Sequence, residues 1–173
     1  MTIEPDSKDW TWVLERQCPE CAFDASTVEP PAVAAMIRAN AAAWRSVLSH
    51  PDVSRRPAAD DRWSALEYAC HMRDVFRLYD ERLALMLDDD DAHYANWDQD
   101  ATAVASRYNE QDPAQVGREL SAAADGIADR FDSVHGAQWQ RTGHRSDGAR
   151  FTVASFSQYL IHDAIHHLVD VAT

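Results

Sequence analysis

Residues 64–86 decide the fold class of this 173-residue chain; they read Ser64-Ala-Leu-Glu-Tyr-Ala-Cys-His-Met-Arg-Asp-Val-Phe-Arg-Leu-Tyr-Asp-Glu-Arg-Leu-Ala-Leu-Met86. The segment begins with a capping box, Ser64 followed three residues later by Glu67, which is typical of a helix N-terminus. Apolar residues then recur at helical spacing: Tyr68, Met72, Val75, Phe76, Tyr79, Leu83 and Met86. The helix is expected to end near Asp88–Asp91, since four adjacent carboxylates repel a negative helix C-terminus.

Three further segments carry apolar residues at helical spacing. The first runs from Pro30 to His50, the second from Asp112 to about Val134, and the third from Thr152 to the C-terminus. Together with the helix of residues 64–86 they predict an all-α fold, a four-helix bundle with at least one long crossover connection.

The connection over residues 88–112 is long and polar, and it contains Trp97 and Tyr108. Loops of this length inside a compact domain are usually functional or crossover segments. Trp97 is interpreted either as a wall of a substrate pocket or as an anchor that packs the loop onto the bundle. A bundle with a short hairpin near Trp139–Phe151 is the alternative fold.

The length of the chain fits one domain over residues 1–173. The net charge of -13 argues against nucleic acid and anionic membranes as partners, because both require clustered Lys and Arg. Residues Met1–Asp9 lack the basic and apolar regions of a signal peptide, and no apolar run reaches the ~18 residues of a membrane span. We therefore expect a cytoplasmic protein with a small-molecule substrate; a homodimer is left open.

Two histidines of the last predicted helix are four residues apart, in Tyr159-Leu-Ile-His-Asp-Ala-Ile-His-His167. On a helix, His162 and His166 then lie about 40° apart around the axis and one turn apart along it. Two imidazoles so placed can bind one metal ion, whereas His167 points well away from the pair. Because this helix is apolar around most of its circumference, the histidines are expected to line an internal cleft.

His71 lies at the edge of the apolar stripe of the 64–86 helix and can supply a third ligand from a facing helix. Three imidazoles leave a coordination position open, which is typical of a catalytic site. They suit zinc, nickel or another transition metal better than magnesium or calcium. The spacing is also compatible with a chance H-x-x-x-H pattern, and with His71 as a core histidine that makes one hydrogen bond.

The three cysteines, Cys18, Cys21 and Cys70, do not form a disulfide framework pattern. Cys18-Pro-Glu-Cys21 has the spacing of a redox pair or of half a zinc site. No second cysteine pair exists to complete a four-cysteine site, and the motif does not follow a strand as in thioredoxin-like proteins. A locally packed N-terminal arm is therefore the favoured interpretation.

The chain resembles the DinB/YfiT-like superfamily of bacterial metalloenzymes over nearly its whole length. Two motifs carry the resemblance, Trp63-Ser-Ala-Leu-Glu-Tyr-Ala-Cys-His71 and Phe156-Ser-Gln-Tyr-Leu-Ile-His-Asp-Ala-Ile-His166. The resemblance implies a bundle in up-down-down-up order. It also implies a metal held by one histidine of the second helix and an H-x-x-x-H pair of the fourth. The matching positions are His71, His162 and His166, a three-histidine divalent-metal site.

Members of this superfamily include mycothiol- or bacillithiol-dependent S-transferases and a mycothiol-dependent maleylpyruvate isomerase. The resemblance thus implies a metal-dependent thiol transferase, or a thiol-dependent isomerase, that uses a cofactor such as mycothiol on a small electrophile. Coordination to the metal would deprotonate the thiol, and the protein would orient the electrophile. No further residue is assigned a catalytic role; Asp74, Asp163 and Asp170 are candidate acceptors for imidazole N–H groups.

Two other functions require the same histidines. One is non-catalytic binding of a metal or small ligand by a protein of this fold. The other is metal-dependent hydrolysis, in which a metal-bound water is the nucleophile.

Overall fold

The computed structural model describes residues 9–57 and 62–172. Five α-helices lie in this part of the chain: α1 Val33–Leu48, α2 Ala65–Asp88, α3 Gln99–Ala105, α4 Pro113–Asp132 and α5 Val153–Ala172. The four long ones form a four-helix bundle, so the predicted fold class is confirmed. Residues 1–8, which hold most of the stretch searched for a signal peptide, lie outside the described residues.

The predicted capping box fixes the start of α2. The backbone N–H of Ser64 donates to the Glu67 carboxylate at 2.8 Å, and the backbone N–H of Glu67 donates to Ser64 Oγ at 3.3 Å. Arg56 forms an ion pair with the same buried carboxylate. These contacts anchor Glu67 and thereby fix the rotation of α2 about its own axis. His71 lies four residues further along, about one helical turn away, so its direction is fixed as well.

α5 begins directly after β-structure, and its N-terminus is capped by two reciprocal hydrogen bonds between Thr152 and Ser155. The backbone N–H of Thr152 donates to Ser155 Oγ at 3.0 Å, and the backbone N–H of Ser155 donates to Thr152 Oγ1 at 3.1 Å. This exchange satisfies donors that a helix N-terminus leaves without partners. The predicted start of the last helix at Thr152 is therefore correct to within one residue.

The four long helices surround one apolar core. α2 packs mainly on α4, α4 on α1, α1 on α5 and α5 on α2, so the order around the bundle is α1-α4-α2-α5. Each helix contributes large buried side chains, among them Trp44, Phe76, Leu120 and Phe156. Tyr79 of α2 stacks on Phe156 of α5 with ring centroids 4.5 Å apart, which joins the two helices that carry the predicted metal ligands.

Three short strands form a small sheet beside the bundle: β1 Ala92–Tyr94, β2 Thr142–Arg145 and β3 Arg150–Thr152. The strand order is β1-β2-β3, with β1 parallel and β3 antiparallel to β2. The β2–β3 hairpin lies in the region that the alternative fold assigned to a hairpin, so that addition to the bundle is confirmed.

Gly143 allows the sheet to approach α2 closely. A Cβ atom at this position would lie 2.8 Å from side-chain atoms of Met86 and Tyr94, which is too close for any larger residue without rearrangement. Gly143 belongs to β2, which pairs with β1, so the close approach of β2 to α2 also holds β1 and the start of the 88–112 connection against the bundle. That connection is more regular than predicted, because it also contains α3 and a 3₁₀ turn at Tyr108–Glu110.

None of the helices within the described residues combines the length and the apolar character that a membrane crossing requires.

Candidate metal centre

A cavity of about 590 Å³ opens between α2, α5, the N-terminal arm (residues 9–32) and the segment of residues 96–100. This volume lies within the roughly 300–1,000 Å³ of small-molecule sites. Four histidines line it, His71 from α2 and His162, His166 and His167 from α5. All three ligands predicted from the sequence therefore face the same cavity, as expected for an internal cleft.

His71 is a buried imidazole without a hydrogen bond. Its side chain is 1% exposed, and neither ring nitrogen has a hydrogen-bond partner among residues 9–57 and 62–172. Its Nε2 lies 3.9 Å from Oδ2 of Asp163. Burial, together with the nearby His167, lowers the pKa of His71 to about 3, so the ring is neutral. A buried polar group without a partner costs about 1–3 kcal/mol, which calls for a reason such as an ion.

Two tryptophans hold the ring of His71. Trp97 stacks on it with centroids 5.4 Å apart and ring planes 6° apart, and Trp63 lies 5.3 Å away. The indole N–H of Trp97 donates to Thr102 Oγ1 at 2.8 Å, which fixes its own loop to α3. Trp97 thus serves both of its predicted roles, as a wall of the cavity and as an anchor of the connection.

His167 lies between two carboxylates of its own helix. Its Nε2 is 3.3 Å from Oδ1 of Asp163, and its Nδ1 is 2.8 Å from Oδ2 of Asp170. Burial alone would lower the pKa of His167, but Asp163 and Asp170 outweigh it and raise the pKa to about 9. An ion bound at Nε2 would displace the proton that this raised pKa keeps there. Asp170 is placed to accept the remaining N–H, as a carboxylate does for most metal-ligating histidines.

His71, Asp163 and His167 together form a candidate metal centre. One ligand atom from each lies within 4.8 Å of the others. Two imidazoles and one carboxylate are the donor set of many catalytic zinc and non-haem iron sites, which keep further positions open. The unbonded nitrogens of His71 show that this set fits a divalent transition metal.

His162 and His166 contact a different group, the two cysteines of the N-terminal arm. Nε2 of His162 lies 3.7 Å from Sγ of Cys21, and Nδ1 of His166 lies 3.7 Å from Sγ of Cys18. One ligand atom from each of the four residues lies within 4.8 Å of the others. The ring of Trp10 covers the two histidines, at 5.1 Å from His166 and 5.7 Å from His162.

A family model described as the DinB superfamily matches residues 32–170. The chain belongs to the DinB superfamily. This structure also superposes on YfiT from Bacillus subtilis, described as a probable metal-dependent hydrolase with an unusual four-helix bundle topology. The TM-score is 0.72 at 15% sequence identity, over 83% of this chain and 85% of YfiT. Such low identity establishes the shared fold alone. No curated protein matches the chain in sequence.

In this DinB-superfamily protein the three predicted ligands belong to two clusters. His71 shares its cluster with Asp163 and His167, whereas His162 and His166 share theirs with the cysteines. Successive residues of a helix point about 100° apart, so the 162/166 pair and the 163/167 pair address different neighbours. The first pair faces the N-terminal arm, and the second faces α2.

The prediction from spacing named neither Asp163 nor His167 as a ligand, although these are the two residues that the structure groups with His71. His167 was expected to point away from the H-x-x-x-H pair; its contacts lie with the other cluster, where its ring is 4.9 Å from that of His71. The signal that was missed is Asp163-x-x-x-His167, the same spacing one residue later. Of the three candidate N–H acceptors, Asp163 and Asp170 both lie against His167. Asp74 accepts instead from Tyr108 and Arg73.

A third group with metal-binding side chains lies on the sheet, outside the cavity: Asp91, His93 and His144. Asp91 and His93 are exposed, and Asp91 already accepts hydrogen bonds from Thr142 and His144. This group provides a comparison for adventitious binding of ions at the surface.

A buried guanidinium places a positive charge in one wall of the cavity, whose lining also includes carboxylates such as those of Asp163 and Asp170. Arg82 is 5% exposed, and its Nη2 donates to the carbonyl oxygen of Ala95 at 2.7 Å. Its Nε has no hydrogen-bond partner, and no carboxylate forms a salt bridge with it, within residues 9–57 and 62–172. The neighbouring Arg145 is paired with Asp147 at 2.9 Å. The guanidinium of Arg82 lies 4.9 Å from the ring centroid of Tyr94 and 5.8 Å from that of Tyr79. Its charge has no carboxylate partner in the part of the chain that the structure describes, so this wall is suited to an anionic group of a ligand.

Proposed function

We propose that this protein is a divalent-metal-dependent enzyme whose ion is bound by His71, Asp163 and His167. The observation that carries the proposal is the buried imidazole of His71, which lines the cavity and whose two ring nitrogens have no hydrogen-bond partner among the described residues. A core histidine would normally make at least one hydrogen bond. Zinc and nickel are the ions that we propose, since both accept imidazole and carboxylate ligands.

The residues around the proposed ion position the ligands and the reactants. A divalent ion held by these residues would supply Lewis acidity, which lowers the pKa of a thiol or a water molecule. Asp170 orients the ring of His167 through Nδ1. Trp63 and Trp97 fix His71 and keep bulk water away from it.

We propose a low-molecular-weight thiol of the mycothiol type as the second reactant, and S-transfer or thiol-dependent isomerisation as the reaction. Support comes from the superfamily's thiol-dependent members and from a cavity large enough for such a thiol. Arg82 supports an electrophile that carries a carboxylate or another anionic group, because a guanidinium binds such groups with two parallel hydrogen bonds.

Hydrolysis is the second candidate, favoured by the structural likeness to YfiT, which is described as a probable metal-dependent hydrolase. The same three residues would then hold an ion that activates water in place of the thiol. The two candidates differ in whether the reaction requires a thiol, which S-transfer consumes and isomerisation regenerates.

The test uses metal-free protein that is reloaded with zinc or nickel. Each preparation is incubated with mycothiol, bacillithiol or glutathione and a chromogenic aryl halide, and separately with activated esters and amides in the absence of thiol. We expect metal-dependent loss of thiol that is abolished in His71→Ala and retained in His135→Ala, an exposed control. Hydrolysis without thiol consumption would favour the second candidate. Full metal occupancy without any turnover would overturn both.

A further inference from the structure

We infer that Cys18, Cys21, His162 and His166 form a second metal site, a closed tetrahedral zinc site that fastens the N-terminal arm to α5. The site is separate from the cluster of His71, and the proposed function does not depend on it. It completes the zinc half-site that the C-x-x-C spacing offers, with histidines in place of a second cysteine pair.

The distances between the four side chains match those of a tetrahedral ion. With Zn–S bonds of about 2.3 Å and Zn–N bonds of about 2.0–2.1 Å, sulfur and nitrogen ligands lie about 3.5 Å apart. The two sulfur–nitrogen pairs in this protein are each 3.7 Å apart, and the other pairs stay within 4.8 Å. Hydrogen bonding would account for two separate pairs, but it does not require all four atoms to converge.

The backbone of the arm presents both sulfurs to the same point. The N–H of Cys18 donates to the carbonyl oxygen of Phe23 at 2.9 Å, and the N–H of Ala22 donates to that of Cys18 at 2.8 Å. This tight turn places Ala22 at a φ of 58°, in the left-handed region that non-glycine residues rarely adopt. The turn is therefore held by something that outweighs its strain.

The chemistry of the donors favours a structural rather than a catalytic ion. Two thiolates and two imidazoles are a common ligand set of structural zinc, and four protein ligands leave no position for substrate. Two thiolates balance the charge of Zn²⁺, and binding releases two thiol protons to solvent. Cys18, His162 and His166 are buried, so the charged ligands are shielded from water.

The site links the arm to the cavity. Trp10 and Glu20 of the arm line the cavity, and Trp10 packs on His166. An ion bound between the arm and α5 therefore keeps these two side chains in the cavity wall. Loss of the ion is expected to release the arm while the helical bundle remains folded.

The test is the spectrum of the full-length protein loaded with Co²⁺. We expect two ions per chain, a near-ultraviolet thiolate-to-cobalt charge-transfer band, and the intense visible bands of a tetrahedral ion. Cys18→Ser and Cys21→Ser should each abolish the charge-transfer band and one ion. Cys70→Ser is the matched control, because Cys70 is buried on α2 against the carbonyl oxygen of Tyr108 and should leave the spectrum unchanged.

The wild-type spectrum decides the inference even if a variant fails to fold. A wild-type protein that binds Co²⁺ without a charge-transfer band overturns the site, as does a Cys18–Cys21 disulfide in protein purified under reducing conditions with zinc. His71→Ala separates this inference from the proposed function. It should remove the other ion and all turnover but retain the charge-transfer band.

Discussion

His166 and His167 are consecutive residues of α5, yet their imidazoles serve different clusters. Nδ1 of His166 lies 3.7 Å from Sγ of Cys18, whereas Nε2 of His167 lies 3.3 Å from Oδ1 of Asp163. Asp170 lies near both rings, 2.8 Å from Nδ1 of His167 and 3.7 Å from Nε2 of His166. One helix therefore brings two candidate metal sites side by side, one open to the cavity and one closed by the arm.

The first prediction concerns which histidines share an ion. His71→Ala and His167→Ala should each weaken zinc binding at the cavity site by about tenfold or more, since each removes a ligand, while the cobalt–thiolate band persists. His166→Ala should instead abolish the cobalt–thiolate band and leave zinc binding at the cavity site unchanged. Calorimetric zinc titration and the cobalt spectrum of each variant provide the measurement. If His167→Ala binds both ions normally, the three-histidine set His71, His162 and His166 regains support over the arrangement proposed here.

The second prediction concerns the carboxylate that orients His167. Asp170→Asn preserves the volume of the side chain but removes the charge that accepts the Nδ1 hydrogen bond. Zinc affinity at the cavity site should fall about 10–100-fold, the usual effect of such partners. Asp74→Asn is the matched control, because Asp74 accepts from the Tyr108 hydroxyl at 2.6 Å and forms no hydrogen bond with an imidazole among the described residues. Competition with a chromogenic chelator measures both; equal losses would contradict the role of Asp170.

The fold could be predicted from the sequence because its signals are local. The capping box at Ser64 and the apolar spacing of α2 specify a helix without knowledge of its neighbours, and the structure confirms both. The strand β1 was not predicted, because three residues within a polar connection carry no periodicity. Its position depends instead on pairing with β2, 50 residues further along the chain.

The site could be predicted only in part, because the grouping of ligands is a long-range property. Spacing identified His162 and His166 as a pair, but it could not show that the pair faces Cys18 and Cys21, which lie more than 140 residues away. The same limit applied to His71, whose neighbours on α5 depend on how the two helices are rotated against each other.

The third prediction uses the strained turn of the arm. A left-handed conformation costs a non-glycine residue about 1–2 kcal/mol, whereas the added chain entropy of glycine costs about 0.5–1 kcal/mol. Ala22→Gly should therefore stabilise the arm slightly and raise the Tm by roughly 2 °C. Ala42→Gly, at an exposed position in the interior of α1, should lower it, because glycine destabilises a helix interior. Calorimetry of the zinc-loaded proteins measures both; a lower Tm for Ala22→Gly would contradict the strain.

The fourth prediction concerns acid stability. Burial raises the pKa of Glu67, but the hydrogen bonds from Arg56 and Ser64 lower it by more than burial raises it. The pKa of Glu67 therefore lies below 4.5 in the folded protein. A lowered folded-state pKa stabilises the protein above the unfolded value, and this stabilisation disappears as the pH falls through the folded pKa. The Tm deficit of Glu67→Gln relative to wild type should therefore be greatest near neutral pH and shrink below about pH 4.5.

The control for this measurement is Glu110→Gln. Glu110 also has a lowered pKa and pairs with Arg107, but both side chains are exposed, so the pair should contribute little to stability at any pH. A Glu67→Gln deficit that stays constant from neutral to acid pH would show that the buried carboxylate acts through packing rather than through its charge.

The fifth prediction assigns the charge preference of the cavity to Arg82. Arg82→Met removes the guanidinium but keeps much of its length, so KM for a carboxylate-bearing electrophile should rise. A hydrogen bond to a charged group contributes about 1.5–3 kcal/mol, which corresponds to a roughly ten- to hundredfold change. Arg82→Lys should raise KM less than Arg82→Met does, because lysine keeps the positive charge but not the planar fork of the guanidinium. KM for an uncharged analogue should stay unchanged in both variants.

A purely structural role of Arg82 would also raise KM, because Arg82 donates a hydrogen bond to the carbonyl oxygen of Ala95. This role must be separated from a role in binding the electrophile. If Arg82 only supports the segment that carries Trp97, its loss would raise KM equally for anionic and uncharged electrophiles and would lower the Tm. Steady-state kinetics with a matched acid and amide, run beside thermal unfolding, distinguish the two. A selective rise for the acid assigns the guanidinium of Arg82 to substrate binding, since a displaced loop has no means of sensing the charge of the electrophile.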